Sequence, residues 1–384
     1  MKAQVEQRHA AYFLELVETL GPAMFSAAGI ATLDRLELEH DNLRAVFRWA
    51  SEHQAAETGQ RLVGVLYTFW HSRGYFTEGR DQIHEVLTLA QGSPPSLAYA
   101  KALFSAGYID QALGYYRTAQ HLYEQSLAMG RQLGDAGRVS HAAALLANVH
   151  FDLGEFERAE RYLAEGLQHG RVTQESWHCG MMLANMADHA ALLGNFAEAQ
   201  RLFAEALAEL RCVGQPWALG VAYYLQGKML YYQGEPARAY EILQKSRMIS
   251  QAVATRNIFY AESGRLLGLL ALEQGYFVQA RSRLIETLTL LHALGYQRDI
   301  AYSFEAFAQL ALKQEQPERT LRLAGAAFAL RKSMEFVLPP IEQSRFEQMC
   351  TTARQLVSST AVTDAWAAGE AMSLAEAVAY ALAT

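Results

Sequence analysis

Twelve histidines and three cysteines are the residues of this 384-residue chain best suited to metal or nucleophilic chemistry. Their spacing argues against both. Helix-borne zinc chemistry needs two imidazoles a turn apart with a carboxylate beside them, as in HExxH, and no such string occurs. His169, His178 and His189 are nine and eleven residues apart with no flanking carboxylate pattern. Cys179, Cys212 and Cys350 are far apart and form no CxxC pair. Neither a GxSxG nucleophile elbow nor a GxGxxG phosphate turn is present. The histidines therefore read as packing or surface residues. The expectation is a protein without catalytic residues, metal or cofactor.

The bulk properties narrow the class further. Apolar residues make up 51% of the chain, enough for a large buried core. The 33 basic residues are outnumbered by 40 acidic ones, giving a net charge of −7. That balance argues against direct nucleic-acid binding by this segment. The sparse, unpaired cysteines suit a reducing compartment, so a cytoplasmic location is expected. No apolar run approaches the ~20 residues that span a bilayer, and the first twenty residues lack a secretory apolar core, so no membrane partner is expected.

What the chain does contain is a repeated phrase. LGYYRTAQHLY, LGEFERAERYL and LGNFAEAQRLF begin at Leu113, Leu153 and Leu193. The phrase starts earlier with RGYFTEGRDQI and continues through QGEPARAYEIL, QGYFVQARSRL and a degraded QEQPERTLRLA. Its glycines are Gly74, Gly114, Gly154, Gly194, Gly234 and Gly275, four intervals of 40 and one of 41, with Glu315 in the glycine position of the last copy.

Each column has a physical reason. Glycine accepts the left-handed conformation that ends a helix. The aromatic two residues on (Phe76, Tyr116, Phe156, Phe196, Phe277) can plug the gap between two helices, and Pro236, in that place in the fifth copy, can open one. Gly79, Ala119, Ala159, Ala199, Ala239 and Ala280 allow close helix approach, and Ile83, Tyr123, Leu163, Phe203, Leu243 and Leu284 continue the same face one turn later. Small residues recur seven positions before the glycine, at Gly107, Ala147, Ala187, Gly227 and Gly268. A second break falls midway, at Gly134, Gly214 and Gly295, with Gln174 and Ala254 in the equivalent places. Each unit therefore reads as helix, tight turn, helix, looser turn.

This pattern resembles the tetratricopeptide repeat (TPR), lengthened from its usual 34 residues to 40. The resemblance implies an all-α, TPR-like superhelical solenoid of about seven 40-residue helical hairpins. The expected organisation is an N-terminal helical cap over 1–56, a repeat array over 57–330 and a C-terminal helical cap over 331–384. In the first cap, helices are expected over Glu6–Thr19 and Leu33–Ser51, with a Gly21–Pro22 break between them. In the last cap, Pro339–Pro340 should break a helix and Ser373-x-x-Glu376 should cap another.

The phrase LEHDNLRAVFRWA, then Phe69-Trp70 and the Arg73–Arg80 stretch RGYFTEGR, and finally AWAAGEAMSLAEAVAYALA resemble the helical repeat region of bacterial STAND-class ATPase transcriptional regulators. These are the MalT-like, LuxR-type and AfsR-like activators. The resemblance implies a sensor and scaffold segment that works beside a STAND ATPase domain in cis. Neither the GxxxxGK[ST] loop of that ATPase nor a LuxR-type DNA-binding helix pair occurs in this sequence.

It also implies where a ligand would bind. In TPR arrays the first helices of the units line a concave groove. The column expected to face it reads Tyr108, Asn148, Asp188, Lys228 and Leu269. One turn earlier come Phe104, Ala144, Ala184, Tyr224 and Arg265, and three residues later Gln111, Phe151, Ala191, Tyr231 and Leu272. Phe104, Tyr108, Asn148, Phe151, Asp188, Tyr224, Lys228, Tyr231 and Arg265 are the expected ligand-binding set. Their aromatic faces and single charges could hold a small-molecule or peptide effector, or a protein partner, by stacking and a few directed bonds. The lysine-and-asparagine carboxylate clamp of some TPRs is not expected, because Ala144 precedes Asn148 by one turn. An interaction scaffold without any small effector is the alternative.

Overall fold

The computed structural model describes residues 2–26, 28–173, 176–253 and 258–383, and among these it is helical with no strand. The N-terminal part comprises α1 (Lys2–Leu20), a 3-10 turn (Gly21–Phe25), α2 (Gly29–Leu38) and α3 (His40–Glu52). Seven antiparallel hairpins follow among the described residues: α4 (Ala56–Arg73) with α5 (Phe76–Leu89), α6 (Leu97–Ala112) with α7 (Tyr116–Leu133), and α8 (Ala136–Asp152) with α9 (Phe156–Thr173). Next are α10 (Ser176–Leu192) with α11 (Phe196–Val213), α12 (Pro216–Gln233) with α13 (Pro236–Val253), α14 (Ile258–Glu273) with α15 (Phe277–Leu294), and α16 (Gln297–Lys313) with α17 (Pro317–Ser333). The chain ends in α18 (Pro340–Arg354), α19 (Ser359–Glu370) and α20 (Leu374–Leu382). It is an all-α, TPR-like solenoid.

The hairpins form for the reasons legible in the repeat. The six turn glycines all lie at φ between 77° and 89°. Glu315 takes the same conformation at φ 58°, so the seventh turn survives without glycine, against the ~1–2 kcal/mol that a side chain costs there. Within each hairpin, Ile83, Tyr123, Phe203, Leu243 and Leu284 are fully buried, as are the small residues that face the partner helix. A Cβ at Gly107 would stand 2.7 Å from the Tyr123 ring, and one at Gly227 2.7 Å from Leu243, so the small columns and the large ones are two halves of one contact. The aromatic plug holds only in part: Phe76 and Tyr116 are buried, whereas Phe277 is 38% exposed. Gln174 and Ala254, expected at midway breaks, lie outside the described residues.

A polar tie also repeats. Ser126, Ser246 and Thr287 each donate a hydroxyl from the second helix of a hairpin to a first-helix carbonyl, at Ala100 (2.7 Å), Gly220 (2.8 Å) and Ala261 (3.0 Å). Where glycine occupies that second-helix position, at Gly166, the donor moves across: Ser140 on the first helix donates to the Gly166 carbonyl at 2.9 Å. Each tie satisfies a buried hydroxyl that would otherwise cost free energy.

Two expectations for the ends need correction. The second N-terminal helix is not continuous over Leu33–Ser51 but breaks at Glu39, whose backbone leaves the helical region. The break lets α2 bury Thr32, Leu33 and Leu36 while α3 turns Leu43, Val46, Phe47 and Ala50 inward, two faces that one straight helix would not align. The first helix starts earlier than expected, at Lys2. The Ser373–Glu376 capping box is present, with both reciprocal bonds made.

At the C-terminal end, α19 crosses α17 backbone to backbone. A Cβ at Gly369 would lie 2.0 Å from the Arg322 carbonyl oxygen, and one at Gly325 2.6 Å from that of Trp366. Gly369→Ala is therefore expected to destabilise this end by about 1–3 kcal/mol despite alanine's better helix propensity, because a carbonyl cannot move aside as a side chain can. Hydrogen exchange should show α19 and α20 opening earlier than the repeats. Unchanged protection would refute the expectation.

The superhelix winds until its ends meet. A Cβ at Gly74 would lie 3.2 Å from the Ala293 carbonyl. The Val337 amide donates to the Asp152 carbonyl at 2.8 Å, and Arg117 pairs with Glu335 at 3.1 Å. The concave wall therefore curves round an interior.

Candidate functional site

The interior has a filled half and a hollow half. The filled half is occupied by the chain's own α18, started by Pro340 after an extended Pro339. Buried Glu342 accepts hydroxyl hydrogen bonds from Tyr232 (2.5 Å) and Tyr302. One turn on, Arg345 donates to the Tyr231 hydroxyl at 2.5 Å and reaches Glu273 at 3.3 Å. Beneath α18 lies a layer of internally paired charges. Arg265 pairs with Glu262 at 2.6 Å and sits over the Tyr302 ring, the Tyr224 hydroxyl donates to Glu262 at 3.1 Å, Lys228 meets Asp188 at 2.8 Å and Arg298 meets Asp152 at 3.1 Å. Burial pushes the Asp188 and Asp152 carboxyls up, against the pull of Lys228 and Arg298 respectively.

Most of the residues expected to bind a ligand fall in this half. Tyr231 and Arg265 lie against α18, and Tyr224, Asp188 and Lys228 are engaged with one another's layer. Phe151 is buried and stacked on His189, ring centroids 3.8 Å apart. Asn148 is half-buried on the same helix, one turn before Phe151.

Phe104 and Tyr108 belong to the hollow half. They line a cavity of about 750 Å³ walled by α4, α6, α8 and α10 and open to one side, with the 3-10 turn and Trp217 at its margin. Tyr67, Leu97, Leu145, Trp177, Met181 and Met182 make its wall mainly apolar and aromatic. Among the charged lining residues, Glu18 is held by Arg61 at 2.6 and 2.8 Å, and Lys101 is exposed.

Arg138 is the exception in this wall. It is 8% exposed, and among the described residues no carboxylate lies within ion-pairing distance of its guanidinium. The group stacks over the Phe104 ring at 4.7 Å and donates one bond, to His141 Nδ1 at 3.3 Å. Its Nε and Nη1 have no acceptor among the described residues. His141 in turn touches His178 through the two Nε2 atoms. Because His141 Nδ1 accepts from Arg138, His141 must carry its proton on Nε2 and donate it to His178. Burial holds the pKa of His178 down at about 3 and that of His141 well below the usual range, with Arg138 adding to both, so the pair is neutral at pH 7.

The sequence reading missed these residues, yet they follow the same register. Lys101, His141 and Met181 form one 40-residue column, and Ala98, Arg138 and His178 another. They lie one and two turns N-terminal to the columns that were expected to face the groove. Among the described residues, no three His, Cys, Asp or Glu side chains gather in a metal-binding arrangement, and no helix is long and apolar enough to cross a membrane.

Comparison with known proteins places this geometry in the class of TPR-like helical-repeat proteins. The chain is similar in fold to a Rap protein complexed with competence and sporulation factor: TM-score 0.62, 14% identity, 87% of this chain and 98% of that one. It is also similar to NprR in complex with its cognate peptide NprX (TM-score 0.55, 13% identity, 87% and 96%) and to the APC/C hetero-tetramer Cut9–Hcn1 (TM-score 0.52, 13% identity, 85% and 58%). At these identities the likeness establishes the fold. No family model matches the chain. In sequence, 150 residues are 27% identical to proteins of Mycobacterium tuberculosis and Mycobacterium bovis named as candidate HTH-type transcriptional regulators. That match covers 37% of this chain and 17% of those relatives' length.

Proposed function

We propose that this chain is the effector-binding sensor segment of a transcriptional regulator of the STAND class, and that the effector sits in the hollow half of the superhelix. The observation that carries this reading is the cavity itself. A space of about 750 Å³ with an apolar wall and few polar groups is the form of a small-ligand site, not of a packing defect. The complexes of the Rap protein with competence and sporulation factor and of NprR with its cognate peptide, built on the same fold, and the local match to HTH-type regulators support it. A short peptide or small molecule suits the space better than a long partner helix, because α18 fills the rest of the interior. In the intact regulator, occupancy of the cavity would change how the early and late hairpins meet, and an ATPase domain in cis would respond.

Native mass spectrometry of the gently purified chain tests this. The expected result is an added mass on the order of a few hundred daltons, lost on denaturation and absent from an Ala144→Trp variant whose indole fills the cavity. Equal added mass on both proteins, or none on either after incubation with extract of the source cells, would overturn the proposal.

A further inference from the structure

Arg138 gives the cavity a chemical preference. A guanidinium remains charged at any ordinary pH, and a buried cation without a counter-ion is costly unless something supplies the missing charge. Elsewhere in this interior the buried or half-buried cations Arg265, Lys228 and Arg298 each have a carboxylate within 2.6–3.1 Å. Among the described residues Arg138 has an aromatic face, one imidazole acceptor, the Asp135 carboxylate acting only from beyond ion-pairing distance, and the cavity. The remaining charges of the lining add to the imbalance: Glu18 is taken by Arg61, Lys101 is cationic, and His141 and His178 are neutral.

Resting on the reading of this cavity as an effector site, we propose that its ligand is an apolar or aromatic body carrying a single carboxylate, which Arg138 receives. The carboxylate supplies the charge that the described residues omit. The apolar body lies against Trp177, Met181, Leu145 and Val65. A doubly charged phosphate fits less well, because Arg138 is the one buried cation among the described residues of a wall otherwise dominated by apolar side chains. The guanidinium–imidazole–imidazole chain fixes the receptor. His141 holds one edge of the guanidinium, and His178 holds His141 in the tautomer that accepts from it. Two sources present this chemistry: a free fatty or aromatic acid, and the C-terminal carboxylate of a short apolar peptide.

Tryptophan fluorescence reports on the site, since Trp177 and Trp217 line it. Dodecanoate and dodecanol are titrated against the full chain, then acetyl-Leu-Leu-Leu with a free and with an amidated C-terminus. In at least one pair the acid is expected to bind at least about tenfold more tightly than its neutral counterpart. Arg138→Met should abolish that difference without weakening the neutral probe, while Arg138→Lys keeps part of it. The pair that shows the difference identifies the source, acid or peptide. Equal binding of charged and neutral probes to the unaltered protein would overturn the carboxylate assignment while leaving an apolar effector site intact. A preference that survives in Arg138→Met would assign the charge to Lys101 and overturn the role of Arg138. No binding by any of the four probes would count against the cavity as an effector site altogether. If Arg138→Met does not fold, the unaltered chain still tests the carboxylate preference, and Arg138→Lys tests the role of Arg138: a preference undiminished in that variant would assign the charge to Lys101.

Discussion

Lowering the pH from 7 to 5 is expected to remove several kcal/mol of folding stability, through histidines kept neutral inside the superhelix. Burial holds His71, His178 and His189 at pKa values of about 3, and His141 well below its ordinary 6.5. Between about pH 3 and 6.5 the unfolded chain therefore binds protons that the folded chain refuses. Stability rises with pH across that window and is lost as the pH falls through it. Each such histidine contributes about 2 kcal/mol of the difference between pH 7 and 5, since one proton refused by the fold is worth ~1.4 kcal/mol for every pH step below 6.5. Asp299, raised by burial to about 6, acts in the opposite sense below that pH, as do the raised Asp152 and Asp188, and they offset only part of the loss.

Urea midpoints measured from pH 7 to 5 should fall steadily. His189→Phe, which keeps the stack on Phe151, should flatten the slope by about 1.4 kcal/mol per pH step of one, the share of one titrating group. Midpoints that stay level or rise on acidification would show that these imidazoles are not neutral in the fold.

The second large effect is expected from Glu342→Ala. The carboxylate accepts from two tyrosine hydroxyls and ties α18 into the interior, and hydrogen bonds to a charged group are worth about 1.5–3 kcal/mol each. Removing it leaves the hydroxyls of Tyr232 and Tyr302 in a buried layer with their acceptor gone, so a loss of about 3–5 kcal/mol is expected. The consequence is local before it is global. Helix α18 should release, its amides should exchange faster, and Tyr231, Tyr232 and Arg265 should become accessible. Glu342→Gln, which keeps an acceptor, should restore most of the docking. If α18 amides stay protected in Glu342→Ala, the Pro340–Arg354 segment is held by its apolar contacts instead, through Phe346 and Met349.

The repeat was legible in the sequence because its causes are local. A glycine at φ near 80°, a small residue against a large one and a 40-residue register are constraints within one hairpin, and a hairpin is contiguous in the chain. The same locality made the cavity columns readable in principle: Arg138 and His178 stand 40 apart in the register that gives Phe104 and Ala144. What one hairpin cannot specify is the angle at which the next one stacks. Small rotations add over seven units, and their sum brings Gly74 to Ala293 and Val337 to Asp152. That closure decides which inward-facing residues meet one another and which meet a hollow. Tyr224, Lys228 and Asp188 share a column logic with Phe104 and Tyr108, yet the first three end in a paired, filled layer and the last two on a cavity wall. The return of α18 into the interior was equally out of reach, since Glu342 finds Tyr232 across 110 residues of chain. The order of residues along the chain was enough to set the hairpin, its period and the inward-pointing columns. Assembly of all the hairpins was needed to leave Arg138 without a counter-ion among the described residues, because charge balance in an interior depends on every element that closes around it.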